Sequence, residues 1–139
     1  MTLNLKQITD AEFVEQFEKQ NLPPEYFDHI GHIRLARLYL LSYDLETAIS
    51  RISQGIQDYA ESLGATNKFH LTITDSIMRI IANRLALTES DEWHVFLKNN
   101  ADIVEDSLSV LCQYFSKDKL MSERARTSLL SPDIKAIEE

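Results

Sequence analysis

The sequence predicts an all-α, single-domain antiparallel bundle of about five to seven helices, and three observations predict it. Apolar residues recur at helical spacing over most of the chain. Only three glycines and three prolines punctuate 139 residues, too few for the turns of a many-stranded β fold. Capping residues such as Thr9, Asp44 and Asn67 stand directly ahead of the periodic runs.

The first helix covers about residues 10–20. Thr9 followed by Glu12 has the form of a capping box, and Phe13 and Phe17, one turn apart, make its buried stripe. Asn21-Leu22-Pro23-Pro24 stops it, because a residue before proline is pushed out of the α region. A second helix over about residues 28–43 carries Ile33, Ala36, Leu40 and Tyr43 on one face. Leu35, Leu38 and Tyr39 widen that face until the segment is apolar over most of its girth, so it should be central. Asp44 caps a third helix in which Ala48, Ile52, Ile56, Tyr59 and Leu63 recur until Gly64 supplies the stop.

Asn67 caps the fourth helix, with His70, Ile73, Ile77, Ile81 and Arg84 in its pattern. The β-branched Thr72, Ile73 and Thr74 imitate a strand, but helical spacing sustained to Leu85 decides for helix. Two further helices are expected at about residues 90–99, with Trp93, Phe96 and Leu97, and at about 102–115, with Val104, Leu108, Leu111 and Phe115. A short helix over about residues 122–130 precedes a loose tail that runs through Pro132 to Glu138 and Glu139.

A chain of this size buries roughly 68% of its unfolded surface, enough for one core without metal or disulfide staples. Fourteen Lys and Arg against twenty-two Asp and Glu give a net charge of −8, which argues against a nucleic acid or an anionic membrane as partner. Cys112 has no second cysteine to pair with and reads as a small hydrophobe. No apolar run approaches the ~20 residues of a membrane span, and the N-terminus lacks a secretory apolar region, so a cytoplasmic location is expected.

Three of the four histidines fall in two clusters, Phe27-Asp28-His29-Ile30-Gly31-His32 and Phe69-His70-Leu71-Thr72-Ile73-Thr74, each where a helix should begin. Short loops after the second and third helices make neighbours antiparallel, so the second and fourth run parallel and bring both clusters to one end of the bundle. His29, His32 and His70 are therefore the candidate divalent-metal ligands, or catalytic acid and base residues. A helix N-terminus disfavours imidazolium and attracts anions, so a small anionic ligand is the alternative guest. Glu15, Glu18, Asp58, Thr72 and Asp75 belong near the same end. Tyr59 and Thr74 join the candidate ligand-binding set, Tyr59 because its hydroxyl, on an apolar stripe, needs a partner. His94 belongs to the opposite end.

The bland readings stand beside these. His29 is explained as a surface residue of a first turn, His32 as a ring packed beside Gly31, and His70 as a buried ring bonded to a carbonyl. His-x-x-His is a weak pattern beside His-Glu-x-x-His. Gly31 inside a helix costs about 1 kcal/mol relative to alanine, which invites either a close approach of another segment or an irregular first turn. Arg34 and Arg37 could bind a carboxylate, or lie exposed on the flank. Phe13, Phe17, Phe27, Tyr39, Tyr43, Tyr59 and Phe69 read mostly as core, with a member or two lining a pocket.

Phe27, His29, His32 and Ala36 in the pattern F-x-H-x-x-H-x-x-x-A, with Phe69, His70, Thr72 and Thr74 in [YF]-H-x-T-x-T, resemble a family of small bacterial all-helical proteins without an assigned activity. Ala125-Arg126 and Ser131-Pro132-Asp133 extend the resemblance, which departs where Phe69 stands in place of tyrosine. It implies that Pro132 and Asp133 fold back over the bundle, which adds Asp133 to the ligand-binding candidates, and it carries no catalytic residue.

Two functions of different class compete. One is an enzyme or metal-dependent binder acting on a small anionic molecule, marked by imidazoles converging on a cavity. The other is a non-catalytic regulatory or protein-interaction module, marked by an exposed apolar patch. A homodimer through the fifth and sixth helices fits either. A nucleophile elbow and a glycine-rich phosphate loop are both absent, and Asp91-Glu92-Trp93-His94 offers D-x-x-H where di-iron bundles use E-x-x-H.

Overall fold

Six of the eight α-helices among the described residues start where a side chain accepts a backbone N–H that no helical carbonyl can reach. The computed structural model describes residues 8–65, 69–88 and 92–137 and shows eight α-helices and no strand among them. The all-helical class read from periodicity is therefore present. The described residues gather into two compact units, one ending at Phe69 and one beginning at His70, where the sequence alone suggests a single domain.

In the first unit, Thr9 Oγ1 accepts from Glu12 N at 3.1 Å and donates to the Glu12 carboxylate at 2.9 Å, opening α1 (Asp10–Glu18). Phe13 and Phe17 are fully buried. The helix closes earlier than proline alone requires. Gln20 takes a left-handed φ of 62°, and Asn21 N donates back to Gln16 O at 2.8 Å. A side chain in that conformation costs about 1 kcal/mol, so Gln20→Gly is expected to stabilise the fold by about 0.5 kcal/mol after the added chain entropy is counted. A urea midpoint that stays put or falls would contradict this.

A 3₁₀ turn at Pro24–Tyr26 leads to α2 (His29–Ser42), whose first turn is held by Asp28 Oδ1 accepting from Gly31 N at 2.8 Å. Gly31 has its reason in a close approach. A Cβ there would lie 2.3 Å from the Tyr26 carbonyl oxygen, so the turn can rest on α2 only because this residue has no side chain. Asp44 caps α3 (Leu45–Ser62), and Gly64 at φ 72° ends it as expected. All three helices of this unit pack on one another.

Arg34 and Arg37 differ from the reading as exposed flank residues, being only 7% and 4% exposed. Arg34 Nη2 donates to Ile8 O at 2.8 Å and to Asp10 Oδ1 at 2.7 Å, with the guanidinium 4.6 Å over the Phe13 ring. Its charge is matched by a carboxylate and its plane by an aromatic face, which is how arginine tolerates burial. The carboxylate it binds is the chain's own, and the contact pins the start of α1 to α2.

The second unit opens with α4 (Leu71–Ala86), capped by His70; the expected cap Asn67 lies outside the described residues, as does Ser90 at the expected start of the next helix. α5 (Trp93–Asn99) and α6 (Ala101–Leu111) follow. Inside α6, Asp106 leaves helical geometry at φ −156° and ψ 75°. Its carboxylate then accepts from Ser109 N at 3.1 Å and Ser109 Oγ at 2.6 Å, restarting the helix. Ser116 and Ser122 cap α7 (Lys117–Leu120) and α8 (Glu123–Thr127); α8 falls within the short helix expected over about residues 122–130, and α7 precedes it where none was expected. Met78, Ile81, Phe96, Ile103, Leu111, Phe115 and Leu120 form this unit's core.

The chain beyond α8 returns onto its own unit. Asp133 Oδ1 accepts from Ser116 N at 2.7 Å, and Ile134 N donates to Tyr114 O at 2.9 Å. Glu138 and Glu139 lie outside the described residues. Among the described residues no helix is long and apolar enough to cross a membrane.

Candidate functional site

The first turn of α2 fixes one imidazole completely. The Asp28 carbonyl accepts from His32 N at 3.0 Å and faces His32 Nδ1 at 2.8 Å. A carbonyl oxygen can only accept, so Nδ1 carries the proton, and the neutral ring keeps its lone pair on Nε2. The ring lies over Phe27 with centroids 3.8 Å apart and planes 22° from parallel. Phe27 in turn packs on Phe17 at 5.2 Å and edge-on to Tyr59 at 5.1 Å. The Tyr59 hydroxyl has the partner its position demanded, donating to Leu22 O at 2.6 Å.

Beside this cluster the first unit holds a cavity of about 370 Å³. Phe27, Tyr59 and Phe69 give it aromatic walls, Ile56, Ala60 and Leu63 contribute aliphatic surface, and His32 adds a polar edge. The size falls within the roughly 300–1,000 Å³ of small-molecule sites. Since the Tyr59 hydroxyl is committed to Leu22, His32 Nε2 is the side-chain polar atom that the described lining residues leave for a guest.

His32 as a residue is exposed, yet its ring is crowded by protein. That desolvation lowers its pKa below the usual histidine value; the neighbouring His29 acts the same way, while the Asp28 carbonyl and carboxylate act against them without prevailing. The folded ring thus binds its proton less tightly than the unfolded one. Its contribution to stability is intact above the ordinary pKa near ~6.5 and is lost as pH falls through the lower folded value. Going from about pH 7.5 to about pH 5, the parent chain is expected to lose more stability than His32→Phe. Equal losses in urea denaturation at the two pH values would remove the effect.

The other candidates are placed differently. His29 is the exposed first residue of α2, one turn from His32, so the structure brings these two to the same helix end. His70 belongs to the second unit. Its Nδ1 accepts from Ile73 N at 3.1 Å, so Nε2 bears the proton and donates to Leu120 O at 2.9 Å. Both nitrogens serve the backbone, and metal binding through His70 would require giving up one of these bonds. Thr74 lies half-buried in the first turn of α4, and Asp133 accepts from the backbone N of Ser116, the residue that caps α7. Asp75 is paired with Arg79 at 2.8 Å, Glu18 accepts from the Tyr39 hydroxyl at 2.6 Å, and His94 lies exposed beside Glu92. Among the described residues no group of three or more His, Cys, Asp or Glu side chains is placed to hold a metal ion.

Ile56 and Leu63 are pocket residues that sequence reasoning places only on the apolar stripe of the third helix, and Ala60 is one it does not single out. Apolar positions of α3 look alike whether they meet a neighbour or a void. The second unit has a larger but more open cleft of about 520 Å³ at Lys119, Ser122, Arg124 and Leu129.

Comparison with family models, with curated proteins and with solved structures found no match to this chain.

Proposed function

We propose that this protein binds a small, largely apolar molecule in the cavity of its first unit, with His32 as the polar anchor. The observation that carries the proposal is the fixed imidazole at the edge of an aromatic-walled cavity of about 370 Å³. Apolar walls supply the driving force, worth about 25 cal/mol per Å² of ligand surface removed from water, and a single oriented polar atom supplies selectivity.

Binding is favoured over turnover because the described lining residues place neither a nucleophile nor a second acid beside His32. The anionic ligand expected from helix-end electrostatics has less support, since the ring presents a lone pair and the whole chain carries a charge of −8. A divalent ion on His29 and His32 would have to complete its shell with water, because the described residues gather no third ligand.

The neutral fluorophore N-phenylnaphthylamine tests the reading. Its emission is expected to rise saturably at one molecule per chain, and Ala60→Phe, which fills the cavity from α3, is expected to abolish the rise while leaving the helical circular dichroism intact. No saturable rise with the parent chain, or an equal rise with Ala60→Phe, would sink it.

A further inference from the structure

We infer that the ligand of this cavity is a neutral aromatic molecule carrying one O–H or N–H group directed at His32 Nε2. The inference rests on the binding reading above and adds the chemistry of the guest.

The Asp28 carbonyl decides the polarity of the site. By accepting a hydrogen bond from Nδ1–H at 2.8 Å it leaves Nε2 as an acceptor, and an acceptor buried against a guest must be met by a donor. A carboxylate or phosphate would set oxygen lone pairs against that nitrogen. No lysine or arginine is among the described lining residues to offset the mismatch. The charged and titratable groups around the ring are Asp28 and His29 at the start of α2, with Glu25 of the 3₁₀ turn acting on Tyr59. Both carboxylates repel an anion. From α3 the wall is Ile56, Tyr59, Ala60 and Leu63, which brings no cation.

Shape points the same way. Phe27, Tyr59 and Phe69 all line the cavity, and Tyr59 stands edge-on to Phe27, so ring surface makes up much of the wall. Flat faces and ring edges favour a planar aromatic guest over a branched aliphatic one of equal volume.

The test uses the full chain and three probes of one ring system, 2-naphthol, naphthalene and 2-naphthoate, at about pH 8, where an ordinary histidine is neutral. Binding is read from amide shifts around the cavity and from the ¹⁵N shift of His32 Nε2. 2-Naphthol is expected to bind roughly three- to tenfold tighter than naphthalene, the worth of one net hydrogen bond, and to move the Nε2 resonance, with 2-naphthoate weakest. His32→Phe keeps a flat ring and removes the acceptor, so it is expected to make naphthol and naphthalene equal. The ranking in the parent protein decides the matter even if that variant fails to fold. Naphthoate binding tightest, or naphthol and naphthalene binding alike in the parent, would overturn the donor assignment while leaving the cavity reading in place. Failure of all three probes would overturn both.

Discussion

Gly31→Ala is expected to lower stability by about 2 kcal/mol, although the same change inside an ordinary helix raises it by about 1 kcal/mol. The sign reverses because the new Cβ would lie 2.3 Å from the Tyr26 carbonyl oxygen. That atom is backbone, fixed in the 3₁₀ turn Pro24–Tyr26, so it cannot swing aside as the end of a side chain would. Either the turn lifts off α2 or the first turn of α2 unwinds. Both routes disturb Phe27 and Pro24, and with them the cavity wall. Thermal unfolding is expected to move down by about 4–12 °C for a chain of this size, with weaker fluorophore binding even where the variant stays folded. A raised melting temperature would mean that the turn does not rest on α2.

The parts of this fold that were legible are those governed by neighbours in sequence. Thr9, Asp44 and Gly64 mark helix ends because their own backbone or side chain does the capping within a turn. Asp106 hid the kink in α6, since an aspartate beside Glu105 within an apolar repeat looks like a solvent-facing residue until its carboxylate is seen turning back to Ser109. Arg34 was left between binding a carboxylate and lying exposed on the flank, because its partners Ile8 and Asp10 stand more than twenty residues away, a distance that one sequence cannot bridge.

The histidine clusters divide along the same line. In the first, spacing correctly singled out the start of α2, and His32 does reach a cavity. In the second, the residue types that suit metal chemistry turned out to satisfy backbone groups instead. An imidazole that can hold a metal can equally cap a helix with one nitrogen and bind a carbonyl with the other, and composition does not distinguish the uses. The aliphatic walls of the cavity were invisible for a third reason. Packing density is a property of how helices meet, and Ile56, Ala60 and Leu63 would read the same around a filled space.

The second cluster makes the larger claim on stability. Thr72 is fully buried, donates through Oγ1 to Ser128 O at 2.8 Å and accepts from Leu130 N at 3.2 Å. Thr72→Val keeps the shape and removes the hydroxyl, leaving a carbonyl and an N–H without partners, at an expected cost of about 2–4 kcal/mol. His70→Ala removes the cap of α4 and the partner of Leu120 O together, for about 2–3 kcal/mol. The two residues are two positions apart at the head of α4, and they hold opposite ends of a single stretch, Leu120 at the end of α7 and Ser128 just past α8. Releasing either end frees much of what the other secures, so the double variant is expected to lose less than the sum of the singles. Amide exchange should report the mechanism directly, because protection is expected to fall across α7 and α8 in each variant while α2 and α3 of the first unit keep theirs. Additive losses, or uniform loss of protection along the whole chain, would show that the threonine and the histidine act through general stability and not as a clasp on this segment.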